Sequence, residues 1–165
     1  MAEDEGAMVG GPGDGEGRAP PPGLLTQYVK DLSFENPNAP AVYQWQSKPR
    51  IDVQFNIAAQ TIGDDLYEAI LKVDVKAQFD EGPAYQVELH YAGLFAIRNF
   101  SEEQHQRFLL AEAPRLLFPF ARRVIADTIR DGGFPPLLVD PIDFGALYLA
   151  KTKATEQNSG SLGRA

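Results

Sequence analysis

YEAILKVDVKAQF, residues 67–79, carries a long apolar–polar alternation. Tyr67, Ala69, Leu71, Val73, Val75, Ala77 and Phe79 occupy every second place, alternating with Glu68, Lys72, Asp74, Lys76 and Gln78, and only Ile70 interrupts the polar set. A period of two belongs to a strand whose side chains point alternately to two faces, one of them buried. The run is long for a strand. Upstream, Ile51, Val53, Phe55 and Ile57 alternate with Asp52, Gln54 and Asn56 in the same way. Downstream, after Asp80-Glu81-Gly82-Pro83, Tyr85, Val87, Leu89 and Tyr91 are expected inward and Gln86, Glu88 and His90 outward, with a bulge at Gly93 where the alternation lapses. The turns at Gly63 and Gly82 are short enough to make an antiparallel meander. A fourth strand, Leu25 to Glu35, precedes these, and the Pro- and Asn-rich connection Asn36-Pro37-Asn38-Ala39-Pro40 lets it reach either edge of the sheet.

Beyond the strands the period changes. Ser101 and Gln104 stand at capping-box spacing and predict a short helix to about Leu110, with Pro114 separating it from a longer one. In the longer helix Leu117, Phe120, Ala121, Val124, Ile125, Thr128 and Ile129 share a face. Arg115, Arg122, Arg123, Asp127 and Arg130 fall away from it, and Gly132 and Gly133 end the run. Asp143 is placed to cap a final helix carrying Phe144, Leu147 and Tyr148. The class is α+β: a four-stranded antiparallel sheet followed by a short helix, a long helix and a C-terminal helix.

The 165 residues suit one domain, and the 44% of hydrophobic residues can supply its core. Residues 1–23, rich in glycine, proline and acids, are expected to form a disordered acidic tail, residues 24–153 the folded domain, and residues 154–165 a flexible C-terminal tail. With 15 Lys+Arg against 23 Asp+Glu the formal charge is -8, which repels the phosphate backbone and argues against nucleic acid as a partner. No apolar run approaches the ~18 residues of a membrane span, and the N-terminus lacks the features of a signal peptide. The expected address is the cytoplasm, without direct membrane insertion. The absence of cysteine excludes disulfides and thiolate chemistry.

Nothing in the chain reads as a catalytic constellation. His90 and His105 have no ligand spacing and are expected to be ordinary surface residues, and Gly10-Gly11-Pro12-Gly13 has neither the strand before it nor the helix after it that a phosphate loop requires. Asp64-Asp65 and Glu102-Glu103 are adjacent pairs, read as solvated acids. The expectation is a protein that is not an enzyme and uses no cofactor and no metal. More informative are two apolar loops, one with Val42, Tyr43 and Trp45, the other with Phe134, Leu137, Leu138 and Val139. They either cap the edge of the core or open a groove for apolar segments of another chain.

Tyr28-Val29-Lys30-Asp31-Leu32-Ser33-Phe34-Glu35-Asn36-Pro37-Asn38-Ala39-Pro40 resembles the opening signature of SecB, the bacterial preprotein export chaperone. Asp64-Asp65-Leu66-Tyr67-Glu68, Tyr91-Ala92-Gly93-Leu94-Phe95, Leu116-Leu117-Phe118-Pro119-Phe120-Ala121-Arg122 and Gly133-Phe134-Pro135-Pro136 resemble further segments of that family in the same order, so the likeness runs from about Leu25 to Ala150. The acidic N-terminal tail is not a family hallmark.

The resemblance implies an ATP-independent chaperone that binds unfolded preproteins, keeps them translocation-competent and delivers them to the export motor SecA. It implies a homotetramer built as a dimer of dimers, with sheets outside and the long helices between, drawing on Leu117, Phe120, Arg122, Arg123, Val124 and Asp127. Val42, Tyr43, Phe134, Leu137, Phe144 and Tyr148 fall at client-groove positions, and Asp31, Glu35 and Glu88 at positions that engage the basic C-terminal segment of SecA; Gln86 stands where a relative has an apolar residue. Because fold alone does not set function, a peptide-binding adaptor or a toxin-restraining module on the same fold stands as the alternative.

Overall fold

The computed structural model describes residues 21–161. Four strands form one antiparallel sheet: β1 (Gly23–Glu35), β2 (Arg50–Gly63), β3 (Leu66–Phe79) and β4 (Gly82–Ala96), in the spatial order β1-β4-β3-β2. The last three make the expected meander, through two-residue turns at Asp64-Asp65 and Asp80-Glu81. The first strand pairs with β4, so residues between β1 and β2 cross from one edge of the sheet to the other.

The alternation in β3 and β4 has the expected consequence. Ala69, Leu71, Val73, Val75 and Ala77, with Val87, Leu89, Tyr91 and Phe95, are buried on the face that the helices cover, the inner face. Burial of each large side chain there contributes on the order of 1.5–3 kcal/mol. The connection between β1 and β2 closes one end of this core. Val42 enters it, Asn38 Nδ2 donates to the Pro83 carbonyl at 2.8 Å, and the Trp45 ring meets Phe79 edge-on at 5.6 Å.

Gly93 is not a bulge. It pairs regularly with Ala69 and Gln27, and the glycine is required by space: a Cβ there would lie 2.9 Å from Phe95 Cε2 and 3.0 Å from Leu117 Cδ2. β1 carries two bulges, between Leu24 and Thr26 and between Val29 and Asp31, and further register shifts fall near the turns, between Thr61 and Gly63 and between Ala77 and Gln78.

Helix α1 (Glu102–Arg107) begins with the expected capping box, Ser101 and Gln104 each accepting from the other's backbone N–H. Pro114 does not separate it from the next helix. A π-helical turn, Phe108–Glu112, joins α1 to α2 (Ala113–Asp131) in one continuous run, and Pro114 sits in the first turn of α2, where its missing N–H is least costly. Leu117, Phe118, Ala121, Ile125 and Ile129 of α2 are buried, with the helix lying over β4 and β3. Phe120 and Val124, expected on that same face, lie on its flank: Phe120 is exposed and Val124 half-buried.

Two glycines end α2. The Phe134 N–H returns to the Ile129 carbonyl, the Gly133 N–H to the Arg130 carbonyl, and Gly133 has φ +85°, a Schellman cap. Helix α3 (Phe144–Ser161) is capped as expected by Asp143, whose carboxylate accepts from the Ala146 N–H at 2.9 Å. It continues past Ala154, so residues 154–161 of the expected C-terminal tail are helical, while 162–165 and the expected acidic tail up to residue 20 lie outside the described residues.

Candidate functional site

Three segments remote in sequence meet at the end of α2. Phe34 of β1, Tyr43 of the crossing connection and Phe134 after the double glycine gather around Tyr85 of β4. Ring centroids are 6.3 Å apart for Phe34 and Tyr85, 4.8 Å for Tyr85 and Phe134, and 5.5 Å for Tyr43 and Phe134. The Tyr43 hydroxyl donates to the Gly132 carbonyl and accepts from Asn36 Nδ2, each at 2.8 Å, and Asn36 Nδ2 also reaches that carbonyl at 3.3 Å.

The double glycine admits this arrangement. A Cβ on Gly132 would lie 2.3 Å from Phe34 Cζ, and one on Gly133 3.0 Å from Tyr43 Cε1. Tyr43 is nevertheless half exposed, and Leu138 beyond it is 71% exposed. Burial pushes the Tyr85 phenol upward, so it stays protonated in this apolar setting. The result is an apolar ledge with a hydrogen-bonded frame, able to hold apolar side chains but equipped with no nucleophile.

The six expected client residues do not form one continuous surface. Tyr43 and Phe134 belong to the ledge, with Leu137 half-buried nearby in the chain. Val42 and Phe144 are each only 2% exposed, and Phe144 packs on Phe118 at 5.9 Å, so both belong to the core and present no open surface. Tyr148 lies in a separate groove of about 380 Å³ between β2 and the helices, with Phe55, Ile57, Leu110 and Leu147. Sequence reasoning missed Phe55, Ile57 and Leu110 as groove residues. The available signal was that Phe55 and Ile57 lie on the apolar side of a strand now seen at the edge of the sheet, where the cover is incomplete.

The opposite, outer face of the sheet is polar. Register rows place Asp31 beside His90 and Lys72, Ser33 beside Glu88 and Asp74, and Glu35 beside Gln86 and Lys76. Asp31, Glu35 and Glu88 thus share one face and are exposed, and Gln86 Nε2 donates to Glu88 Oε1 at 2.9 Å. Glu88 stands directly across from Asp74, a like-charge pair that costs stability wherever it is not relieved. Between them lies a depression of about 250 Å³ that Gln54, Asn56, Lys72 and His90 help to line.

Further along this face, Glu68 is buried to 4% exposure and accepts from Lys30 Nζ at 2.6 Å, from Gln60 Nε2 at 2.6 Å and from the Tyr28 hydroxyl. Burial alone would raise its pKa, but the hydrogen bonds from Lys30, Tyr28 and Gln60, with the Lys30 charge, hold the carboxyl below its usual range. Tyr28 is pushed up to about 12 by burial, reinforced by its bond to the Glu68 carboxylate.

Of the expected oligomer residues, Leu117 is fully buried within its own chain and has no surface left for a partner. Phe120 is 40% exposed and stacks on Tyr91 with ring centroids 6.4 Å apart. Arg122 lies over the Phe118 ring at 5.9 Å, Arg123 is exposed, and Asp127 accepts from Arg130 Nη2 at 2.9 Å. Leu116, Phe120, Arg123 and Asp127 make an outward stripe at helical spacing, to which Leu116 is an addition. The edge strand β1 adds exposed Leu24, Leu25, Val29 and Leu32. His105 is no ordinary surface residue: its ring lies 4.6 Å from Tyr67 and 5.8 Å from Phe100, and its Nε2 is buried without a partner.

A family model described as preprotein translocase subunit SecB matches residues 16–155. The chain is 57% identical over 159 residues to a protein-export protein SecB of Sphingopyxis alaskensis, covering 94% of this chain and 92% of the relative. It is 61% identical over 140 residues to a protein of the same description from Rhizorhabdus wittichii, covering 85% and 84%. Among solved structures, a SecB-like chaperone of Mycobacterium tuberculosis in complex with an antitoxin peptide superposes with a TM-score of 0.62 at 15% identity, over 73% of this chain and 90% of that one. This last likeness concerns the fold.

Proposed function

The chain belongs to the SecB family and acts as a protein-export chaperone, and from that premise we propose how its surfaces divide the work. Its task is binding, not catalysis. Unfolded preproteins are held on the ledge of Tyr43 and Phe134, with Leu137 and Leu138 following in the same loop, and in the groove that contains Tyr148; Val42 and Phe144 stiffen these surfaces from within. The observation that carries this reading is Tyr43, an aromatic ring held by two hydrogen bonds with half its surface left open. A ring fixed in advance loses little conformational freedom when an apolar segment docks. Binding the unfolded client shifts its folding equilibrium by mass action, so no nucleotide is consumed.

The working form is a homotetramer, a dimer of dimers, in the cytoplasm. Two features support it: the outward α2 stripe of Leu116, Phe120, Arg123 and Asp127, and a 13-residue edge strand with apolar side chains exposed. Such an edge associates unless it is covered, and closed twofold assemblies reuse one patch on each subunit. Four copies also multiply weak client sites into avidity. Asp31, Glu35 and Glu88 receive the basic C-terminal segment of SecA on the outer face, away from the client. Identity of 57% to a protein-export SecB over nearly the whole chain favours export over a toxin-restraining role, for which the support is a likeness of fold alone.

Light scattering and a refolding assay test this account together. The wild-type protein should be tetrameric at micromolar concentration and should delay the refolding of a slow-folding preprotein in nucleotide-free buffer. A stable monomer, or a delay that requires ATP, contradicts it.

A further inference from the structure

Glu68 is out of place on the outer face. It is a carboxylate only 4% exposed on the side of the sheet that otherwise carries solvated charge, and its donors come from both edges, Tyr28 and Lys30 from β1 and Gln60 from β2. Tyr28 is registered with Ala92 of β4, and Ala92 with Ile70 of β3, so the β1 side chains pass over β4 to reach Glu68. The small side chain of Ala92 leaves room for that passage.

The bulge makes the contact meaningful. In a regular strand Lys30 and Asp31 would point to opposite faces. Because the register shifts between Val29 and Asp31, Lys30 is the extra residue: it reaches Glu68 on the outer face, while Asp31 takes the position beside outward-facing His90. A cation and an anion adjacent in sequence therefore share one face. Yet Lys30 pairs with Glu68 at 2.6 Å, and among the described residues Asp31 has no ion pair and no side-chain hydrogen bond.

We propose that Glu68 is a positioning residue that withdraws the Lys30 ammonium from Asp31 and so keeps the Asp31 carboxylate free for a basic side chain of the export motor. This rests on the reading of Asp31, Glu35 and Glu88 as the motor-binding surface. Glu68 wins the competition for Lys30 because it is buried and already oriented by Tyr28 and Gln60, where a charge pair is screened less than at the exposed Asp31. Lys30 and Glu68 together are neutral, and Asp31 presents its full charge outward.

A double-mutant cycle with the synthetic basic C-terminal peptide of SecA, titrated calorimetrically onto intact tetramers, tests the inference. Glu68→Gln should weaken the peptide about threefold to tenfold by releasing Lys30 onto Asp31. Asp31→Asn should weaken wild type by a similar factor but change the Glu68→Gln background less than about twofold. Lys30→Gln added to Glu68→Gln should restore both the affinity and its dependence on Asp31, a rescue that a purely structural role for Glu68 does not allow. Where Asp31→Asn weakens the wild type, additive effects of Glu68→Gln and Asp31→Asn would overturn the proposal. The single variant Lys30→Gln should change peptide affinity less than about twofold, and a tenfold gain would show that Lys30 masks Asp31 in the wild type, which also overturns it.

A crystal structure of the Glu68→Gln variant separates this inference from the reading it rests on. Lys30 Nζ within about 4 Å of the Asp31 carboxylate shows that Glu68 withdraws Lys30 from Asp31, so that an Asp31→Asn variant without effect on the peptide then counts against the motor-binding reading and not against this positioning role. A Lys30 that stays away from Asp31 in that structure refutes it regardless of the motor.

Discussion

The two faces of the sheet are built from the same strands but present different surfaces. On the inner face and around its end, Phe34, Tyr43, Tyr85 and Phe134 interlock through ring contacts and a double glycine, so the surface is defined by shape. On the outer face, Asp31, Glu35 and Glu88 stand apart in separate register rows, so the surface is defined by charge. Shape without directional hydrogen bonding accepts many apolar sequences; spaced carboxylates select a basic partner and respond to salt. On the proposed division, holding diverse clients draws on the first surface and finding one motor on the second, and their placement on opposite sides of one sheet lets either be altered alone.

The largest break in that division should come from charge on the ledge. Tyr43→Asp with Phe134→Asp removes two aromatic anchors, and client affinity should fall at least about tenfold, read as loss of the refolding delay. Its affinity for the SecA peptide should remain within about twofold of wild type. The mirror-image variant, Asp31→Lys with Glu88→Lys, should weaken the SecA peptide about tenfold or more while leaving the refolding delay intact. Raised salt should weaken the wild-type contact with the motor peptide and spare client holding, since exposed charges are screened over about 8 Å at physiological ionic strength.

A smaller effect should follow from Gly132→Ala. Its Cβ would lie 2.3 Å from Phe34 Cζ, and overpacking of this kind costs about 1–3 kcal/mol, measurable by urea unfolding. Because Phe34 supports the ledge from β1, client holding should decline with stability, while the outer face stays unaltered.

The smallest effect concerns pH and belongs to the outer face. The Glu68 carboxyl is held below its usual range in the folded chain, so the unfolded chain binds the proton more readily. Its contribution to stability is fully present above the unfolded value of about 4.3 and is lost as pH falls through the folded value. Glu68→Gln should therefore flatten the dependence of stability on pH below about 4.3, followed by denaturant midpoints, and leave the dependence near neutrality unchanged.

Much of the fold was legible because a period of two survives in β2, β3 and β4 with few interruptions. In β1 it does not: Val29 and Leu32 must both reach the inner side, and the spacing between them accommodates an extra residue, Lys30. Alternation alone therefore could not say which side Asp31 and Glu35 take. Pro114 reads locally as a break, but a π turn before it carries the chain straight on, and nothing in the propensity of Phe108–Glu112 announces that turn. Glu68 reads as one more solvated acid because two of its three partners lie 38 and 40 residues away. The ledge was legible as a set of apolar loop residues, while the split between Tyr43, left open, and Val42, drawn into the core, is set by how the crossing segment lies across the end of the sheet.

On the function proposed above, client and motor occupy opposite faces and bind at the same time. That arrangement is probed by titrating the basic C-terminal peptide of SecA onto the wild-type protein, free and saturated with an unfolded preprotein, at one salt concentration. The peptide affinity should be the same in both titrations within about twofold. Displacement of the peptide by the client, or a peptide affinity reduced about tenfold in its presence, would contradict it.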